Sequence, residues 1–257
     1  MRKVSALLMG GAFFAACLVF APVLAQHAHA QALVVALPTR PPWSMLDNGL
    51  PVGADVDILK LIAPRLSVPL EFKADSFSRC MAMLKKGQVD LMAGLDMTLA
   101  REAWLDYVMP PYVTSESKAF YALQHRAETI VGYEYLHEQT IGVVRGVSYF
   151  AQFDVDDELR KSPRNSMQEN LERLLKGGVS VVIADEAGAD WWLATHPEAA
   201  RHIAKAPLKY QDYHPMYFAF SKKSPRVGLA GDFGAILAEL IQDGTISAIL
   251  SRHAIRP

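Results

Sequence analysis

The chain is 257 residues long, 51% hydrophobic and 21% charged, an ordinary globular balance with enough apolar material for a sizeable core. A formal charge of −1 supplies no positive field for a polyphosphate, so nucleic acid is excluded as a natural partner. Two cysteines cannot make a disulfide framework or a four-cysteine zinc site. Met1-Arg2-Lys3 is a short basic start, and Val4 to Ala25 is then uncharged and almost wholly apolar. Val23-Leu24-Ala25 and Ala28-His29-Ala30 each satisfy the small-residue cleavage rule, so residues 1–30 read as a secretory signal peptide cut after Ala25 or Ala30. A membrane anchor and a lipoprotein anchor at Cys17 are the rival readings; Phe14 is a poor start for a lipobox. Removing the leader leaves Cys80 as the one thiol, which an oxidising compartment should find buried. No later run is long and apolar enough to span a bilayer, so the expectation is an exported, periplasmic protein.

After the leader, Leu33 to Leu37 reads as a buried strand, followed by the turn Pro38-Thr39-Arg40-Pro41-Pro42-Trp43. Asp55 or Asp57 is the expected cap of a helix with Ile58, Leu61, Ile62 and Leu66 at helical spacing. Leu70 to Phe72 predicts a strand, Phe77 to Lys86 a helix stopped by Gly87, and Val89 to Gly94 another strand. This β-α-β-α-β order is the grammar of an α/β layer with a parallel sheet. Ala119 to Leu123 is a further strand, and the pattern then restarts. Thr140 to Val144 is a strand, Arg145-Gly146-Val147-Ser148 a turn, Asn170 to Lys176 a helix, and Val179 to Ala184 a strand ending at Asp185. Met216 to Phe220 predicts a last strand, with helices over Phe233 to Leu240 and Ile246 to Leu250. Two α/β halves suggest two lobes and a cleft. Ligands of open α/β sheets bind beyond the carboxyl ends of strands, which picks out the turns 38–43, 94–101, 145–149 and 185–188.

Five stretches then carry a resemblance. They are Arg40-Pro41-Pro42-Trp43-Ser44, Gly53-Ala54-Asp55-Val56-Asp57-Ile58, Gly87 to Gly94 continuing through Thr98 and Arg101, Met109-Pro110-Pro111-Tyr112, and Asp243-Gly244-Thr245-Ile246. Each is weak alone; in this order and spacing the chain resembles the bacterial extracellular solute-binding proteins of family 3 over about 33–253. The resemblance implies a two-lobed periplasmic-binding-protein fold of type II, with two crossover strands as hinge. Mapped here, lobe one is 33–121 plus 219–257, lobe two is 122–218, and the hinge lies near Tyr121 and Phe218. It implies that Arg101 grips a ligand carboxylate, which suits the planar fork of guanidinium. It also implies that Ser148 adds a hydroxyl and that Asp185 takes a ligand ammonium. The residues alone allow blander readings: Arg101 as a surface arginine in a first helical turn, Asp185 as a helix cap. Gly94, Thr98, Trp43 and Phe77 complete the expected site.

The departures are as informative. Asp96 stands where the family has Ser or Thr and is expected to pair with Arg101 or to make a second ammonium site. Arg40 stands where an aromatic stacks on the ligand, and Arg79 precedes Cys80 as in a divergent branch with an Arg-Cys pair. Arg40, Arg79 and Arg101 around one pocket would suit an anionic group; stacking on Trp43 or Phe77 is the alternative. No metal-binding His/Cys cluster, phosphate loop or nucleophile elbow appears, so neither cofactor nor catalytic residue is expected. The reading is a monomeric, non-catalytic binder of a small polar ligand, amino-acid-like or carboxylate-bearing, serving the membrane permease of an ABC transporter. Alternatives of other classes are an accessory or sensor protein, for example beside a quinoprotein dehydrogenase, and a cyclohexadienyl dehydratase-like enzyme using Asp96, Asp185 or Glu186 as acid.

Overall fold

A computed structural model describes residues 31–210 and 215–255. The expected leader, with Cys17 and both cleavage sites, lies outside the described residues. The elements run β1 (Leu33–Pro38), β2 (Met45–Asp47), β3 (Leu50–Val52), α1 (Ala54–Arg65), β4 (Leu70–Asp75), α2 (Phe77–Lys86), β5 (Leu91–Leu95), α3 (Leu99–Glu102) and β6 (Leu105–Tyr107). Then come β7 (Lys118–Leu123), α4 (Gln124–Ala127), β8 (Thr140–Val144), α5 (Ala151–Val155), β9 (Arg160–Arg164), α6 (Met167–Leu175), β10 (Val181–Asp185), α7 (Glu186–Thr195), α8 (Pro197–Ala200) and β11 (Ile203–Tyr210). The chain closes with β12 (Tyr217–Ser221), α9 (Ala230–Gln242) and α10 (Thr245–Arg252).

Two five-stranded sheets form, ordered β4-β1-β5-β12-β6 and β11-β7-β10-β8-β9. In the first, β1 runs parallel to β4 and β5, whereas β12 runs antiparallel to β5 and β6. In the second, β8 is parallel to β9 and β10, and β7 is antiparallel to β10 and β11. Each sheet is covered on both faces, as mostly parallel sheets require. Leu33, Ile58, Ile62, Phe218, Phe233, Leu237 and Ile249 make the core under α1, α9 and α10, and Cys80, Leu84, Met92 and Ala219 fill the opposite face under α2. Phe120, Phe153 and Ile183 lie on one face of the second sheet, Leu171, Leu174, Val182 and Trp192 on the other.

The chain crosses between sheets over 108–117 and returns between Tyr210 and Tyr217. The whole of β7, Tyr121 included, pairs inside the second sheet, and β12, with Phe218, inside the first. The changeovers thus fall a few residues before the expected Tyr121 and Phe218. The crossing segments pair with each other at Val113 and Met216. The second sheet's 93-residue span is one continuous insertion, whereas the first uses both flanks of the chain.

Two local features position the cleft. The α1 helix begins at Gly53, at φ 120°, where a Cβ would lie 2.3 Å from the Trp43 carbonyl oxygen. Neither expected cap, Asp55 or Asp57, caps the helix: Asp55 is buried, its Oδ1 accepting from the Tyr112 hydroxyl at 2.7 Å, and Asp57 pairs with His253 at 2.9 Å. Asp90, also buried, accepts from the Val34 amide and the Ser224 hydroxyl, tying the edge of β5 to β1 and the turn after β12.

Candidate functional site

The four turns singled out by the strand-end rule meet between the sheets. Thr39, Arg40 and Pro41 follow β1, and Phe77 opens α2. Val144, Val147 and Tyr149 lie at the end of β8, Asp185 and Gly188 at the end of β10, and Asn165 to Gln168 before α6. The space they enclose is about 50 Å³. A water needs roughly 10–15 Å³ by this measure, so the lobes must part to admit a metabolite. They touch closely: a Cβ on Gly188 would lie 3.0 Å from the Pro41 carbonyl oxygen. A larger space of about 310 Å³ lies to one side, lined by Trp43, Glu116, Asp190 and Lys205; Lys205 there is paired with Glu186 and Asp190.

Arg101 is buried although it lies in the first turn of α3, which rules out a surface arginine. Thr98 caps that helix by accepting from the Arg101 amide at 3.3 Å. The guanidinium donates through Nη1 to the Asp96 carbonyl oxygen (3.1 Å) and through Nη2 to the Gly146 carbonyl oxygen (3.3 Å). The second bond crosses from one sheet to the other. The contact with Asp96 is therefore through its main chain, whereas its carboxylate was expected; the Asp96 side chain adds to the field at Lys118.

Arg40 and Asp185 face each other across the cleft, Nη1 to Oδ2 at 3.7 Å. Asp185 Oδ1 also accepts from the buried Lys118 ammonium, which donates to Glu116 Oε2 at 2.9 Å. Asp185 stands at the cap position of α7 but makes no side-chain cap bond, because its carboxylate is turned to these cations. Arg40 is held further by Met216 Sδ at 3.2 and 3.4 Å, by the Trp43 ring at 4.9 Å, and by Gly94, where a Cβ would lie 2.8 Å from Nη2. Trp43 is thus a fully buried platform for Arg40.

Burial alone would raise the Asp185 carboxyl, but Lys118 and Arg40 outweigh it and hold it near 2. Burial pushes Glu116 up, with Asp185 adding to the rise and Lys118 opposing it. Burial would depress Lys118, yet Asp185 and Glu116 raise it overall. Asp55 is pushed up to about 6 by burial, against the pull of Arg40 and the Tyr112 hydrogen bond. Cys80 is buried as expected, and desolvation lifts its thiol to about 11.

Two expected residues are placed otherwise. Arg79 projects outward from α2, three-quarters exposed, and pairs with Asp75 at 3.5 Å, so it is not part of a three-arginine pocket. The Ser148 hydroxyl donates to Asp154 Oδ2 at 2.5 Å, within its own lobe, where Asp154 also accepts from the Tyr149 amide. Phe77 does line the cleft, opposite Gly146. Sequence reasoning missed Glu116, Lys118 and Met216. The only signal was Lys118, a lone cation opening the otherwise apolar run Lys118 to Leu123.

The fold has solved counterparts. An ancestral arginine-binding protein bound to arginine is 26% identical, with a TM-score of 0.75 over 88% of this chain and 99% of that one. An arginine third-transport-system periplasmic binding protein from Legionella pneumophila is 22% identical, with a TM-score of 0.73 over 87% and 99%. A membrane-bound lytic murein transglycosylase F from Desulfosudis oleivorans is 23% identical over 210 residues, which is 79% of this chain. The chain spans about 44% of the length of that curated relative. The model of one family, bacterial extracellular solute-binding proteins, family 3, matches residues 33–255, and the chain belongs to that family.

Proposed function

We propose that the protein captures a small carboxylate-bearing solute, amino-acid-like in size, between its two lobes outside the cytoplasmic membrane. It then presents the solute, with the lobes closed, to the permease of an ABC-type transporter, and does no chemistry on it. The observation that carries this reading is Arg101. Its guanidinium is buried at the carboxyl end of β5 and reaches the Gly146 carbonyl of the opposite lobe. When the lobes part, that donor is released. A ligand carboxylate offers it a charge-assisted bond, stronger than the one to a neutral carbonyl. Family membership and the fold shared with arginine-binding proteins support a binding role.

The test is calorimetry and thermal shift of the purified protein against amino acids, 2-oxo acids, 2-hydroxy acids and polyamines, with Arg101→Ala beside it. Binding to the folded state raises Tm by mass action. The expected result is saturable binding of a carboxylate-bearing class that Arg101→Ala weakens by about tenfold or more, the size of one lost charge-assisted bond. Binding confined to polyamines, or no binding at all, overturns the reading. Co-purification with a permease from native membranes tests the transport partner.

A further inference from the structure

In a cleft between lobes, a carboxylate such as Asp185 would attract the amine of a ligand. Here both its oxygens are engaged from within. Oδ1 accepts from Lys118, and Oδ2 lies 3.7 Å from Arg40 Nη1. Glu116 Oε2, 2.9 Å from the same ammonium, makes the contacting groups two cations and two carboxylates, with the Asp55 and Asp96 carboxylates adding to the field at Arg40 and Lys118. Lys118 and Glu116 are each more than nine-tenths buried. Among the groups in direct contact the charges match, with no place for a further cation.

Arg40 is built in rather than adventitious. Its guanidinium lies over the Trp43 ring, touches Met216 Sδ, and occupies the space that a side chain on Gly94 would fill. That glycine sits at φ 71°, a conformation suited to glycine. A ligand amine entering here must either expel Arg40 or bring a third positive charge to a balanced, buried group. Uncompensated charge in such surroundings costs several kcal/mol. A carboxylate meets the opposite situation. The neighbouring donors of Arg40 point to a thioether, a weak acceptor, and those of Arg101 to carbonyl oxygens. The rest of the lining is largely apolar, with Phe77, Val147, Met167 and Ala184.

We propose that Arg40 stands in for a ligand ammonium opposite Asp185 and so makes the cleft selective for small carboxylates without an amine, such as 2-oxo and 2-hydroxy acids, over the corresponding amino acids. This rests on the reading of the cleft as a carboxylate-solute site and names its substrate class.

The experiment compares matched pairs with one carbon skeleton each: pyruvate with alanine, 4-methyl-2-oxopentanoate with leucine, 2-oxoglutarate with glutamate. Kd is measured by calorimetry on the wild-type protein and on Arg40→Ala. The wild type is expected to bind the oxo acid of at least one pair about tenfold or more tighter than its amino acid. In Arg40→Ala the group keeps one cation against two carboxylates, so amino-acid binding strengthens and the ratio falls by about tenfold or more. A gain of binding cannot come from a misfolded protein. Arg40→Met, which keeps length over Trp43, replaces Arg40→Ala if circular dichroism shows that the latter does not fold. A wild type that binds the amino acid as tightly as the oxo acid overturns the inference and leaves the binding role standing. An unchanged ratio in a folded Arg40 variant also overturns it. Binding of no member of any pair overturns the carboxylate-solute reading itself.

Discussion

At the scale of single residues, the cleft is governed by buried charge. Removing one partner of a buried ion group strands the rest, at about 3–5 kcal/mol. Lys118→Met would leave Asp185 with Arg40 alone and Glu116 without its cation, so a loss of about that size is expected in urea unfolding. Asp55 makes a separate prediction. Its carboxyl is raised from 3.8 to about 6 by burial, so between those values the folded protein holds a proton that the unfolded chain has released. Stability therefore falls as pH rises through that window, by roughly 3 kcal/mol for this group. Asp185, lowered to about 2, acts oppositely and lower down: its contribution is present above 3.8 and lost as pH falls toward 2. Asp55→Asn keeps an acceptor for Tyr112 and removes the penalty. It should raise Tm at pH 7 by about 6–12 °C, at roughly 2–4 °C per kcal/mol, and flatten the slope between pH 4 and 6 while leaving the acid limb. Thermal melts from pH 2.5 to 8 check both; an unchanged slope would place Asp55 outside the pH response. The sequence put Arg40, Asp185 and Arg101 in turns that the structure brings together between the sheets. It could not show that the first two pair with each other, because 145 positions separate them and only the closed lobes bring them together. Arg79 is the contrary case: it pairs with Asp75 at the end of β4 and stays outside the cleft, a pairing that its place in the sequence beside Phe77 and Cys80 did not show.

At the scale of elements, legibility followed burial. The central strands β1, β5, β7, β8, β10 and β12 are covered on both faces and read as continuous apolar runs. Within the two five-stranded sheets, the strands that escaped the sequence reading, β6, β9 and β11, all lie at edges. There, charge and proline are tolerated because one side of the ladder is unpaired: β9 is Arg160-Lys161-Ser162-Pro163-Arg164, and β11 carries Lys205, Pro207 and Lys209. Helix α7 brings the cleft contact that matters most for closure. Gly188, in its first turn, faces the Pro41 carbonyl closely enough that even a methyl must push it by tenths of an ångström. Gly188→Leu suits a helix but wedges the lobes apart. The expected outcome is ligand affinity lowered by about tenfold or more with the melting temperature nearly kept, read by calorimetry and thermal melts. Equal losses of stability and affinity would mean that the residue serves packing within lobe two instead.

For the whole molecule, the topology makes one further demand. The second sheet is built from one continuous stretch of chain and the first from both flanks, and among the described residues the cleft contacts of Arg101 and Arg40 tie them together. Interfaces of this kind let each lobe open and unfold with some independence. The four tryptophans report on the two lobes separately: Trp43 and Trp104 belong to the first, Trp191 and Trp192 to the second. In a Trp191→Phe/Trp192→Phe variant, fluorescence follows lobe one, while Trp104→Phe shifts the signal toward lobe two. A solute gripped by one lobe alone stabilises that lobe and leaves the other's midpoint unmoved. A solute held between them must be released before either lobe unfolds, so it raises both midpoints. At a hundredfold excess over Kd the gain is about 2.7 kcal/mol. The two urea transitions are therefore expected to move up together and draw closer as solute is added. A shift confined to one set of tryptophans would relocate the site to that lobe's surface, and the crossing at 108–117 would then be a linker with no part in capture.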